Sequence, residues 1–146
     1  MRSSLNLIAA AILAVLSGSL AAEESSWVAL SSDVTINRTS IANAGQGEKS
    51  VWIQRNYENR ISLGANTQTG QDIYPHQSVQ IQYAVNCAKS KLNMMSWKMF
   101  SDANATGDLV WASEVPSADA AYRYSPGTEE EKSVVASLCG TTLGSR

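Results

Sequence analysis

Val79-Gln80-Ile81-Gln82-Tyr83-Ala84-Val85-Asn86-Cys87 is the stretch whose reading decides the fold of this chain. Its odd positions are apolar or cysteine, and its even positions are Gln, Gln, Ala and Asn. A period of two marks a strand with one face on a core and the other toward solvent. Cys87 closes the inward row. The second of the chain's two cysteines, Cys139, ends a C-terminal helical pattern. A bond between them ties that helix to the buried face of the strand.

Outward from this strand, the pattern repeats on both sides. Upstream, Ser50 to Tyr57 alternates, with Val51, Ile53 and Arg55 on one face and Trp52, Gln54 and Asn56 on the other. Before it, Trp27 to Leu30 reads as a short strand that resumes at Val34-Thr35-Ile36 after the polar turn Ser31-Ser32-Asp33. Tyr57 to Gln77, with Gly64, Gly70 and Pro75, reads mostly as loop, with a short strand near Ile61 to Leu63. Downstream, Lys91 to Phe100 changes phase: Leu92 and Met94 share one parity, Met95, Trp97 and Met99 the other. That break predicts a β-bulge at Met94–Met95 or a strand apolar on both faces. Ser101 to Asp108 is a turn, Leu109 to Trp111 a further strand ended by Val115-Pro116, and Ala118 to Tyr124 is ambiguous, with room for a helical turn. Thr128 and Glu131 then have capping-box spacing. Val134, Val135, Leu138 and Cys139 form an inward stripe, and Gly140 is the stop.

The N-terminus carries Met1-Arg2, an apolar run from Leu5 to Leu16, small residues to Ala22 and then Glu23-Glu24. This is the layout of a cleaved secretory signal peptide over residues 1–22, and it is too short for the roughly 20 residues that cross a bilayer. Residues 23–146 then form a single domain. No cysteine stands at the cleavage site, so a lipoprotein anchor is not expected. In an exported protein two cysteines read as one disulfide, Cys87–Cys139. Loss of Arg2 leaves 10 basic against 13 acidic side chains, a balance that excludes general nucleic-acid binding.

Little in the chain carries reaction chemistry. His76 is the single histidine, with no second histidine or nearby cysteine to complete a metal site. Three of the four methionines fall in Lys91 to Phe100, where thioethers fill irregular core gaps. Asn43-Ala44-Gly45-Gln46-Gly47-Glu48-Lys49-Ser50 is a phosphate-binding loop pattern broken by Glu48 and leads into a strand instead of a helix, so it reads as a hairpin turn. Asp102 and Asp108 shape a polar turn, and Glu129-Glu130-Glu131 face the positive end of the helix dipole. Asn37-Arg38-Thr39 and Asn104-Ala105-Thr106 have the form of glycosylation acceptors but read as chance matches. No enzyme, cofactor or metal is expected.

Several features together resemble one family: Trp27 opening the domain, Val51-Trp52 with Tyr57, Asn86-Cys87-Ala88 closing a strand, Trp111 after a Gly-Asp turn, and the short helix ending in Cys139. The chain is similar in this order and spacing to the surface-adhesin protein E family of Gram-negative bacteria, over nearly all of Trp27 to Gly140. The resemblance implies an α+β fold, a curved antiparallel β-sheet of about six strands with a C-terminal α-helix tethered to one face by the disulfide. It also implies adhesion to host matrix or plasma proteins such as vitronectin, laminin and plasminogen. The founding adhesin is a lipoprotein, and this chain has no lipid-acceptor cysteine, so a periplasmic, secreted or cell-surface location follows without lipid.

A binding surface is expected on the hairpin that follows Tyr83. No acidic residue lies between Asp72 and Asp102, whereas Lys89, Lys91 and Lys98 do, with Trp97 beside them. These four residues form the expected ligand-binding set, acting with the Gln80, Gln82 and Asn86 face. A regular strand cannot place Lys91 and Lys98 on one side, so the set requires the bulge. Lysines that merely protect sheet edges are the plain alternative. The partner is a host matrix or plasma protein, or, in the alternative reading, an envelope protein bound by a small periplasmic accessory or inhibitor protein.

Overall fold

The computed structural model describes residues 26–45, 47–115 and 123–140. The leader expected over residues 1–22, and residues 118–122 of the ambiguous stretch, lie outside the described residues. Six strands follow in chain order: β1 Trp27–Ala29, β2 Val34–Gly45, β3 Glu48–Ile61, β4 His76–Asn86, β5 Lys91–Phe100 and β6 Leu109–Glu114. Each pairs antiparallel with the next, so the sheet is a meander with β1 and β6 at its edges. One α-helix, α1, spans Glu129–Cys139.

The core is a continuation of the row read from β4. Directly opposite residues in an antiparallel pair share a face, and Ile36, Ile53, Ile81 and Trp97 stand opposite one another across β2 to β5. Val51, Tyr83, Val85, Leu92 and Met99 fill the rest of this face. Val134, Val135 and Leu138 of α1 are buried against it, a burial that contributes roughly 2 kcal/mol per side chain. The helix is fastened at both ends. Cys87 and Cys139 are bonded, with Cα atoms 5.4 Å apart, and Lys49 Nζ donates to the Leu138 carbonyl at 3.3 Å. At the other end Arg55 Nε donates to Glu130 Oε2 at 2.8 Å.

Helix α1 starts and stops where the sequence places it. Thr128 Oγ1 accepts from the Glu131 amide, and the Glu131 carboxylate accepts from the amides of Thr128 and Gly127 at 3.0 and 2.8 Å. Gly140 takes φ 65°, the left-handed conformation that ends many helices.

The bulge is equally plain. Gln82 stands opposite Ser96 and Tyr83 opposite Met94, which leaves Met95 as the extra residue of β5. Both sides of the break are thereby satisfied: Leu92 and Met94 face the core before it, Trp97 and Met99 after it.

Four strands run further than their sequence pattern. β2 continues to Gly45 and β3 to Ile61 because their distal halves are largely exposed, and there no buried face imposes an alternation. The register is irregular between Asn37 and Ala42, and again between Asn56 and Ile61. The strand expected near Ile61 to Leu63 is thus largely the tail of β3, and β4 begins at His76, inside the expected loop. β6 extends to Glu114, beyond the expected Trp111. The β5–β6 connection carries a 3₁₀ turn at Ala103–Ala105. Its Gly107 has φ 75°, and an added Cβ there would sit 2.2 Å from Ser101 Oγ, so the turn requires glycine.

Candidate functional site

With α1 on one face, the opposite face carries the outward residues of the strands. Two polar rows cross it. Asn37, Trp52, Gln82, Ser96 and Glu114 stand opposite one another across β2 to β6, and Thr35, Gln54, Gln80, Lys98 and Ala112 form the adjacent row. The period-two pattern puts these residues here: each is the outward neighbour of a core residue. Gln80 Nε2 donates to Gln54 Oε1 at 3.2 Å, and the Lys98 ammonium sits 4.8 Å from the centre of the Trp52 ring, a cation–π geometry.

The strip is bounded along one side by the β5–β6 connection. Asn104 donates its amide to Asn56 Oδ1 at 2.7 Å, and Asn56 Nδ2 donates to Asn104 Oδ1 at 3.1 Å. Ser78 Oγ accepts from the Ala105 amide at 2.9 Å. Along the other side lie Ser50, Ala84 and Asn93, opposite one another and all buried.

The expected binding set divides between the two faces. Lys91 stands opposite Asn86 and Lys98 opposite Gln80, so the bulge does bring both to the outward face. Their partners are six residues apart along β4, which separates them by about 20 Å. Lys91 Nζ donates to Ser125 Oγ at 2.8 Å, and Lys89 is exposed in the β4–β5 turn. Trp97 lies on the other face, opposite Ile81, and packs edge-on against Trp111 with ring centres 5.5 Å apart. The aromatic beside Lys98 is Trp52. Its signal was present in the sequence, because Trp52 alternates with Val51 and Ile53; only the register across β3, β4 and β5 sets it beside Lys98.

Residues with reaction chemistry occupy structural positions. His76 is 1% exposed, hydrogen-bonded through Nδ1 to the Tyr74 carbonyl at 2.7 Å and packed edge-on against Tyr57. Tyr124 donates to Glu131 Oε1 at 2.9 Å. Burial, reinforced by the neighbouring phenol and carboxylates, pushes the Tyr83 hydroxyl far above the ordinary tyrosine value, and burial with the Glu131 contact does the same for Tyr124. Burial works against the Glu131 carboxylate, but the amides of Thr128 and Gly127 and the Tyr124 hydroxyl outweigh it and hold its pKa below the usual glutamate value. This network caps the helix and offers no proton at neutral pH. Asp102 pairs with Arg60 at the surface at 3.0 Å. Among the described residues no three histidine, cysteine or acidic side chains group as a metal site requires, and no helix is long and apolar enough to cross a membrane.

Comparison with known proteins gives one family and one fold. The model of the family described as surface-adhesin protein E matches residues 27–140. No curated protein matches the sequence. Among solved structures, Haemophilus influenzae protein E in its second crystal form is similar with a TM-score of 0.53 at 14% identity, covering 80% of this chain and 88% of that one. Protein E from non-typeable Haemophilus influenzae aligns with a TM-score of 0.52 at 15% identity, covering 80% of this chain and 76% of that one. At such identities the likeness is one of fold.

Proposed function

We infer the function from one premise: the chain belongs to the surface-adhesin protein E family. It is an adhesin-like surface protein that works by binding, without catalysis. The family match carries this reading, because it spans every strand and the helix of the described fold. The finer reading is that the protein engages host matrix or plasma proteins such as vitronectin or laminin, with Lys89, Lys91 and Lys98 contributing by charge. Because Lys91 and Lys98 are about 20 Å apart along the strands, farther than the ~10 Å screening length at 0.1 M salt, the lysines act as separate contacts on an extended partner. Export uses the leader over residues 1–22, and the mature chain begins at Glu23 and is held in the envelope or released without lipid.

Surface plasmon resonance on immobilised vitronectin and laminin tests the reading. Wild type binds at least one of them. Each lysine-to-glutamate reversal weakens binding by a few-fold, and the triple variant Lys89→Glu, Lys91→Glu, Lys98→Glu abolishes it while melting at the wild-type temperature. A wild type that binds neither protein refutes the choice of partner; an unchanged triple variant refutes the choice of residues. N-terminal sequencing of exported material should begin at Glu23, and a mature protein that retains Met1 refutes the leader.

A further inference from the structure

The outward face has a composition that the lysine reading does not use. Its two central rows form a strip five strands long, about 19 Å, and two residues wide, about 7 Å between rows. One long side is bounded by the 101–108 connection packed on Asn56 and Ser78, and the sheet continues beyond the other into the buried row Ser50, Ala84 and Asn93. The floor is rich in amides, with Gln54, Gln80 and Gln82 around a single tryptophan, Trp52. Its two charged groups, Lys98 and Glu114, cancel.

Two observations point to a ligand for this floor. Ser96 is 5% exposed, and its hydroxyl has no hydrogen-bond partner; the Thr35 hydroxyl in the next row is likewise buried and unpartnered. Buried polar atoms without partners are rare in folded proteins and mark places where a further group completes the set. The second observation is the open valence of the amides. Among the described residues no side-chain hydrogen bond is made by Gln82, and the Gln80 amide makes one, to Gln54. An amide offers two donors and two acceptor sites.

We propose that this strip binds a neutral oligosaccharide chain, with Trp52 stacked on the C–H face of one sugar ring and the glutamines hydrogen-bonding its hydroxyls. A sugar presents what this floor lacks: adjacent hydroxyls that both donate and accept, and an apolar ring face that matches an indole. A peptide strand would need a free row of backbone groups, which the middle of a six-stranded sheet does not offer. An acidic ligand would leave Glu114 opposed, and a cationic one Lys98. On binding, the sugar face replaces the Lys98 ammonium over the Trp52 ring, and the ammonium turns to donate to a ring hydroxyl.

The test is a glycan array probed with the disulfide-bonded protein, carrying neutral N-linked and O-linked cores, milk-type, chitin-type and glucan oligosaccharides beside sialylated and sulfated ones. Positives are followed by isothermal titration calorimetry. The expected result is binding of at least one neutral chain, changed less than about two-fold when salt rises from about 0.05 to 0.5 M, since an uncharged ligand is not screened. Trp52→Ala should weaken it about ten-fold or more and Gln82→Ala several-fold, while Lys89→Glu leaves it unchanged. Trp52→Phe keeps an aromatic ring if Trp52→Ala does not fold, and should lose less affinity than Gln82→Ala and Trp52→Phe combined. No neutral glycan bound, binding confined to charged glycans and removed by salt, or binding insensitive to Gln82→Ala and Trp52→Phe together would each overturn the proposal. Because Lys89 belongs only to the charge-based protein contact, the two readings fail independently.

Discussion

Replacing Cys139 by serine probes the most consequential single link in the fold. Cys87 and Cys139 are 52 residues apart, and closing a loop of that length lowers the entropy of the unfolded chain by an amount equivalent to about 4 kcal/mol. The native side of the balance is local. α1 has 11 residues, fewer than the roughly 12–15 at which an isolated helix becomes even marginal in water. It keeps its place through three buried side chains, two end contacts and the crosslink. Cys139→Ser should therefore lower the stability of the domain by about 4 kcal/mol, with most of the native-state loosening confined to the helix. Urea unfolding followed by tryptophan fluorescence reads the first effect. With a slope of about 1.5 kcal/mol per molar urea, the midpoint should fall by roughly 2–3 M. Hydrogen exchange reads the second: amides in 129–139 should lose far more protection than those in β4. A midpoint shift below about 0.5 M, or an even loss of protection across sheet and helix, would refute the claim that the bond holds the helix to the sheet.

Thr128→Ala removes the acceptor for the Glu131 amide and should cost about 1 kcal/mol, measured by the same urea titration. Glu131→Gln should cost stability at neutral pH but not in acid. Because the folded pKa of Glu131 lies below its unfolded value, its stabilisation is present above the ordinary glutamate pKa and fades as pH falls through the folded one; melting curves of both proteins should converge toward low pH. Arg55→Ala leaves Glu130 9% exposed without its partner and should cost about 2 kcal/mol, against less than about 0.5 for Arg60→Ala, whose pair with Asp102 is solvent-exposed. Deleting Met95 removes only the extra residue: Met94 still opposes Tyr83 and Ser96 still opposes Gln82, so Leu92, Met94, Trp97 and Met99 keep their core-facing parity and the variant should fold, as should Met95→Ala at a cost of no more than about 1 kcal/mol; circular dichroism checks both, and loss of the fold on deletion would refute the bulge.

The legible parts of this fold are those where burial imposes a period. β4 could be read from its sequence because every odd residue from Val79 to Val85 meets the core. The Met94–Met95 bulge could be read because the apolar parity changes there while both halves stay buried. The helix announced itself through Thr128, Glu131 and Gly140, residues whose caps satisfy backbone groups that a helix end leaves open. The distal halves of β2 and β3 were not legible for the complementary reason. Glu58, Asn59, Arg60 and Ile61 are exposed on a strand with irregular register, so neither face selects side chains by hydrophobicity. The candidate site was legible only in part. Parity assigns Trp52, Gln80 and Gln82 to the outward face, but which outward residue neighbours which depends on registers set by turns and bulges, and this is how Trp97 was placed with Lys98 when Trp52 is its neighbour.

The same register explains why one sheet can be both anchored and open. Stability in this chain is concentrated on the face that carries Ile53, Ile81, Met99 and the disulfide-bound helix, so the opposite face need not contribute a hydrophobic core. Freed from that demand, it can hold side chains that a core would exclude: amides with hydrogen-bonding capacity to spare, an ammonium on an indole, and hydroxyls with open hydrogen bonds. These are costly where they are buried without partners, and their concentration in the two central rows is what a solvated edge-protecting surface would not require. Edge protection calls for charges on β1 and β6; the amides lie on β3 and β4, in the middle of the sheet. The proposed recognition surface therefore rests on the position of the polar residues more than on their number.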